Sequence, residues 1–375
     1  MYGLVLGGGG AKGAYQIGVW KALNELKIDV GIVCGTSVGA LNGAFFAQKQ
    51  YKRSYEMWAN IKMEDVFEGD EEVFQGINEI FKEKSFHVGF KFVEKLYKNI
   101  IGAKGLDITP LRKMVDEYLD EDKLRKSEID FGFVTISISD KKVLRLYKDD
   151  VPNGQLKEYL LGSAMVPGFS QDEHSDKKFI DGGVYDNFPI KMVYDKGYKK
   201  IIGVSLFQTK FKGYKDADVI YIAPSMNLGN FLFFDKDKAV DNIEMGYLDA
   251  LKAFDKVYGF NYYFENVPSK EKAFKIISSI PYEDKVKITK LVMKIELENE
   301  RMFYEKVIPK IAKELDVLPN QPYSDIIVKC MEKILESKKE KSVQLLDFKK
   351  EVRGIKNDSF KGKLEVYNLI LKSYK

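Results

Sequence analysis

Apolar residues follow two rhythms along this chain. Up to about residue 260, short apolar runs alternate with stretches in which apolar positions recur every three or four residues. Tyr2–Leu6 is a short apolar run closed by glycine, which predicts a buried strand. Ala14–Leu26 places Ile17, Val19, Trp20, Leu23 and Leu26 at helical spacing, so a helix is expected there. Ile32-Val33-Cys34 predicts a second strand and Val38–Gln48 a second helix. Phe133–Ser139 and Lys142–Tyr147 flank Asp140 as a hairpin would, and Lys178–Ile180, Ile201–Phe207 and Val219–Ile222 predict later strands. The stretch 50–128 is expected to be largely helical, as is the run near Asp235–Phe254. Strands alternating with helices predict a mostly parallel sheet covered by helices on both faces.

Beyond residue 260 the rhythm changes. Of 30 glycines only Gly354 and Gly362 fall there, and the pattern is helical throughout. Charge shifts as well: residues 261–375 hold 24 basic and 18 acidic side chains. The expected organisation is therefore a domain over 1–260 and a helical C-terminal domain over 261–375 with no assignable motif. Ile288, Leu291, Val292 and Ile295 are expected to be spent on packing within it. A surplus of basic residues also suits contact with an anionic lipid surface.

Composition narrows the classes of function. The chain is 45% hydrophobic and 31% charged, the balance of a globular protein, and its net charge of +4 does not suggest a dedicated nucleic-acid binder. Its two cysteines, Cys34 and Cys330, are far apart, so no disulfide framework is expected and a cytoplasmic setting suits reduced thiols. No basic segment precedes Leu4-Val5-Leu6, so no secretory leader is expected. No apolar run reaches the ~18 residues of a membrane span, so any membrane contact is expected to be peripheral.

The chemistry concentrates in two glycine-rich turns. Gly35-Thr36-Ser37-Val38-Gly39 fits G-x-S-x-G, the sharp strand-to-helix turn that lifts a serine hydroxyl above a sheet edge. Gly7-Gly8-Gly9-Gly10-Ala11-Lys12-Gly13 offers unobstructed backbone N–H groups at a helix start, where an oxyanion or a phosphate could be held. It fits neither a P-loop nor a dinucleotide fingerprint. A serine hydroxyl needs a base. The two histidines, His87 and His174, sit in no catalytic pattern, whereas Asp181-Gly182-Gly183 closes a predicted strand with open space beside its carboxylate. Burial or a short hydrogen bond to the serine would adapt an aspartate to that task. Lys12 reads either as a solvated helix-start residue or as a phosphate contact, Cys34 as a buried strand residue. Phe231-Leu232-Phe233-Phe234 reads as core, with lipid insertion or the cap of an acyl tunnel as the alternative. No His/Cys cluster suggests a metal site.

Together these segments resemble the signatures of the patatin-like phospholipase family. Gly8-Gly9-Gly10-Ala11-Lys12-Gly13 is similar to its oxyanion-hole loop, Gly35–Ala40 to its nucleophile elbow, and Asp181-Gly182-Gly183 to its aspartate motif. Gly162–Phe169 is a weaker match to the segment preceding that aspartate. The resemblance covers roughly residues 1–255. It implies an α/β three-layer sandwich with a mostly parallel central sheet, a Ser37–Asp181 dyad, and an oxyanion site on Gly8, Gly9 and Gly10. It also implies acyl-ester hydrolysis on phospholipid or lysophospholipid with no cofactor and no metal. Acylglycerol or thioester substrates, acyl transfer to an alcohol, and a non-catalytic lipid-binding module remain open readings.

Overall fold

The computed structural model describes residues 1–69, 75, 106–171, 177–355 and 357–374. The chain forms two compact units, Met1–Ala253 and Phe254–Lys375.

The first unit is built on a seven-stranded sheet. Its strands are β1 (Tyr2–Leu6), β2 (Val30–Thr36), β3 (Asp130–Ser137), β4 (Lys142–Tyr147), β5 (Phe179–Asp181), β6 (Lys200–Val204) and β7 (Asp218–Ile222). The order is β4-β3-β2-β1-β6-β7, with β5 paired to β3. Pairs β3·β2, β2·β1, β1·β6 and β6·β7 are parallel, while β4 and β5 run antiparallel to β3. The helices are α1 (Ala14–Glu25), α2 (Val38–Ala47), α3 (Tyr51–Asn60), α4 (Thr109–Tyr118), α5 (Glu121–Arg125), α6 (Leu156–Ser163), α7 (Ile190–Asp195) and α8 (Lys236–Ala253). The expected strands and the helices α1, α2 and α8 are present, with ends displaced by at most three residues. Of the stretch 50–128, α3, α4 and α5 are helical and residues 70–74 and 76–105 lie outside the described residues.

Alternation along the strands makes the sheet two-faced. Val5, Ile32, Cys34 and Val134 pack with Ile190, Met192 and Val193 of α7. On the opposite face Gly43 of α2 lies against Phe131, Val33 and Leu6. Helices on both faces give three layers. Glycine permits the tightest crossings: a Cβ on Gly18 of α1 would meet the Ile243 carbonyl of α8 at 1.8 Å, and one on Gly246 would meet the Tyr15 carbonyl at 2.0 Å.

The second unit closes a core of its own around Phe264, Ile277, Ile288, Phe303, Ile327, Met331 and Phe348. Leu291 and Val292 pack against that core, whereas Ile295 is 47% exposed. The unit is mostly helical, as expected, but it also holds a short parallel ladder, β8 (Tyr263–Glu265) with β9 (Leu345–Asp347), that the helical pattern concealed. Three-residue strands are too short for a period to declare itself. A π-turn at Phe303–Val307 precedes Pro309, which has no N–H to return to the carbonyl four residues earlier. No described helix is long and apolar enough to cross a membrane.

Candidate active site

Ser37 stands at the junction of β2 and α2 with φ 56° and ψ −130°, a conformation L-residues rarely adopt. Two glycines make the turn sterically possible. A Cβ on Gly35 would lie 2.1 Å from the Gly39 carbonyl oxygen, and one on Gly39 would lie 2.2 Å from that of Leu6. The strained serine is pinned from outside: its N–H donates to Ser163 Oγ at 3.0 Å, and that hydroxyl donates to the Val134 carbonyl at 2.6 Å.

Sheet register brings Asp181 to it. On β3, Val134 faces Thr36 of β2, and the next residue, Thr135, faces Asp181 of β5. β2 and β5 thus share one edge of β3 and meet end to end, one residue step of about 3.3 Å apart. Ser37 Oγ donates to Asp181 Oδ2 at 2.5 Å, the short geometry of a hydroxyl on a carboxylate. The other oxygen, Oδ1, accepts the Gly183 N–H at 2.6 Å, and the Asp181 N–H donates to the Met165 carbonyl at 2.8 Å. Ser37 and Asp181 are 6% and 7% exposed. Burial raises the Asp181 pKa to about 6, against the opposing pull of the Ser37 and Gly183 hydrogen bonds.

The glycine loop lies across the same sheet end. The Gly7 N–H donates to the Val204 carbonyl at 2.9 Å, that of Gly8 to the Asn187 carbonyl at 3.3 Å, and that of Ala11 to the Phe231 carbonyl at 2.7 Å. Among the described residues nothing accepts from the N–H groups of Gly9 and Gly10. Gly8 is the close neighbour of the serine, since a Cβ there would lie 3.0 Å from Ser37 Cβ. Gly10 has φ +54°, and a Cβ on it would meet the Phe231 carbonyl at 2.0 Å, so no other residue fits.

Ser37 and Gly10 open into a cavity whose walls are otherwise almost wholly apolar, including Leu41, Phe45, Trp58, Phe67, Phe169 and Phe234. Such a wall suits a hydrocarbon chain and gives a polar group little to bind. Leu232 and Phe234 are buried, and Phe234 packs against Trp58 and Phe67, so this segment lines the cavity rather than projecting into solvent. Lys12 is half-buried with its ammonium 4.3 Å from the Phe207 ring centre, and burial lowers its pKa. Cys34 is a buried strand residue whose thiol pKa is pushed up by burial. His87 and His174 lie outside the described residues. Among the described residues no group of three or more His, Cys, Asp or Glu could hold a metal ion.

Four polar residues around the site carry no assigned role in the sequence motifs, although Ser163 lies within the Gly162–Phe169 match. Ser163 holds the elbow, as described. Asn187 Nδ2 donates to the Gly8 carbonyl at 3.3 Å, and Gln16 Nε2 donates to that of Gly7 at 2.7 Å. Asn42 Nδ2 donates to Gln16 Oε1 at 2.8 Å. The signal for the last pair was present in the sequence: Gln16 and Asn42 are amides on otherwise apolar helix faces, where an unpaired amide is costly.

The sequence model described as patatin-like phospholipase matches residues 4–194, about half of the chain and the part that carries this site. The chain belongs to the patatin-like phospholipase family. Among curated proteins, it is 28% identical over 224 residues to patatin-like phospholipase domain-containing protein 7 of Mus musculus, which covers 57% of this chain and 14% of that protein. It is 61% identical over 46 residues to lysophospholipase nte1 of Aspergillus terreus, 12% of this chain and 3% of that protein. The chain therefore spans a small part of the length of these relatives. Among solved structures, VipD from Legionella pneumophila aligns over 98% of this chain and 83% of that chain, with 15% identity and a TM-score of 0.36.

Proposed function

We propose that the chain is a lipid acyl hydrolase of phospholipase A or lysophospholipase type, working through Ser37 and Asp181. The observation that carries this reading is the Ser37–Asp181 hydrogen bond of 2.5 Å beside an apolar cavity that Ser37 lines. Ser37 Oγ attacks the ester carbonyl carbon while Asp181 takes its proton. An aspartate with a pKa of about 6 is a better base than a solvated one, yet ionised at neutral pH.

The negative charge that develops on the carbonyl oxygen is received by the N–H groups of Gly9 and Gly10. Donors fixed before the reaction need no reorganisation, and each is worth roughly 10²–10³ in rate in comparable enzymes. The Gly8 N–H keeps its bond to Asn187, and the absent side chain of Gly8 leaves room beside the serine. Collapse of the tetrahedral intermediate expels the alcohol, which takes the proton back from Asp181. Water, deprotonated by Asp181, then attacks the acyl-Ser37 ester, and collapse of the second tetrahedral intermediate frees the fatty acid as Ser37 Oγ takes that proton back from Asp181. The acyl chain lies along Leu41, Phe45 and Phe234, and the substrate is drawn from a lipid surface met peripherally.

The test is hydrolysis of a panel of lysophospholipid, diacyl phospholipid, monoacylglycerol and a long-chain acyl thioester by the wild-type chain and Ser37→Ala. Release of fatty acid from the phospholipids, lost in the variant, is expected. Turnover of acylglycerol or thioester alone would reassign the substrate, and no turnover of any ester would leave a lipid-binding module.

A further inference from the structure

The loop that carries the Gly9 and Gly10 N–H groups is held at both ends by one buried chain of side-chain amides. At its start, Gln16 Nε2 donates to the Gly7 carbonyl at 2.7 Å. At its end, Asn42 Nδ2 donates to the Gly13 carbonyl at 3.1 Å, and the same nitrogen donates to Gln16 Oε1 at 2.8 Å. Asn42 Oδ1 accepts the Trp58 indole N–H at 2.9 Å. The three side chains come from α1, α2 and α3, and all are buried. Packing reinforces the bonds: a Cβ on Gly13 would meet Val38 Cγ2 at 2.5 Å, Trp58 Cζ2 at 2.9 Å and Asn42 Nδ2 at 3.1 Å.

The direction of these bonds is set. Only the amide nitrogen of Gln16 can donate to a carbonyl, which turns its oxygen to Asn42. Asn42 must then donate from nitrogen and accept from the indole with oxygen. One fixed arrangement of donors therefore runs from Trp58, in the cavity wall, to the peptide oxygen just before Gly8. A core satisfied only by packing would need none of it.

We propose that Trp58, Asn42 and Gln16 form a positioning relay that holds the glycine loop in its oxyanion-binding geometry. This inference rests on the hydrolase reading of Ser37 and Asp181. None of the three residues needs to touch the reacting atoms; they act through the carbonyls of Gly7 and Gly13. A displacement of about 1 Å in a catalytic group can lower a rate by about 10²-fold, so the relay acts on kcat rather than on ground-state binding.

The experiment is a double-mutant cycle on the full chain, with Trp58→Phe, Gln16→Met and the pair, using p-nitrophenyl butyrate. The short acyl group makes little use of the cavity wall. Gln16→Met is expected to lower kcat by roughly 10–100-fold and Trp58→Phe by less than that, with KM changed less than about threefold in each. The pair should be little worse than Gln16→Met alone, because both break one relay. Multiplicative losses, or falls in melting temperature with kcat unchanged, would overturn the proposal.

Gln16→Glu supplies a second readout if Gln16→Met does not fold. Its protonated acid can donate to the Gly7 carbonyl and its carboxylate cannot. The ratio of variant to wild-type kcat should therefore rise as pH falls, and a flat ratio contradicts the relay. Labelling of the wild type by a fluorophosphonate probe separates the two levels. A chain that neither turns over nor labels refutes the hydrolase reading, while an active, labelled chain with an additive cycle refutes only the relay.

Discussion

Each unit of this chain buries carboxylates, and two of them, Asp181 and Glu332, do different work. Asp181 meets one backbone N–H and one serine hydroxyl, and that hydroxyl faces an open apolar cavity. Glu332, in the second unit, turns Oε1 onto the N–H groups of Phe260, Asn261 and Tyr262 at 2.6, 2.9 and 3.2 Å. It staples a loop whose turn depends on Gly259, where φ is +142°. Burial of an acid is therefore no mark of chemistry. What distinguishes Asp181 is a partner that can give up a proton and a space beside it for a reactant. The same contrast runs through the glycines, which crowd the first unit where chain crosses chain closely and nearly vanish from the second.

Removing the charge at Asp181 should break the contrast most sharply. Asp181→Asn is expected to lower kcat by up to about 10⁴-fold, since the amide cannot accept the serine proton. It should also raise stability. The folded state lifts this pKa from 3.8 to about 6, so above that range the ionised form opposes folding by about 3 kcal/mol, and below pH 4 it does not. Chemical denaturation at pH 8 and at pH 4 checks this: the variant should gain at pH 8, and most of the gain should be lost at pH 4.

The next effect belongs to the loop. Gly10→Ala forces a Cβ onto the Phe231 carbonyl in a left-handed conformation, and kcat should fall by about 10²–10³ if that N–H meets the oxyanion. A folded variant with wild-type kcat would remove Gly10 from the mechanism. In the wild type, kcat/KM should fall about tenfold per pH unit below about 6 and level off above it, because the base must be ionised. A profile that breaks near the ordinary aspartate value instead would mean that burial does not tune the site.

The smallest effect is expected in the second unit. Glu332→Gln should lower stability by about 1–2 kcal/mol, by weakening three charge-assisted bonds, with kcat in the folded protein changed less than twofold. Thermal melts and assays of the same samples separate the two.

Most strands of the first unit and the helices α1, α2 and α8 were legible in the sequence because each is an apolar run or a helical period long enough to declare itself; the three-residue β5 was legible only because Gly182-Gly183 closes it. The elbow and the glycine loop were legible for a different reason: close approaches that leave no room for a Cβ, with a left-handed conformation at Gly10, leave glycine in the sequence. The pairing of Ser37 with Asp181 was suggested by motif, but its cause is the register of β5 on β3, a contact between segments 44 residues apart that no local pattern encodes. Gln16 and Asn42 were visible singly, as amides on apolar faces, but the relay they form was not, because their partners lie on other elements. The ladder of β8 and β9 was too short to see.

The most direct test of the central claim is to treat the full chain with a fluorophosphonate probe and map the adduct by peptide mass, alongside lysophospholipid hydrolysis and with Ser37→Ala as control. The account predicts a single phosphonate on the peptide containing Ser37, loss of hydrolysis in step with labelling, and neither label nor turnover in the variant. An active enzyme whose adduct lies elsewhere, or a fully labelled Ser37 in a protein that still releases fatty acid at the original rate, would contradict it.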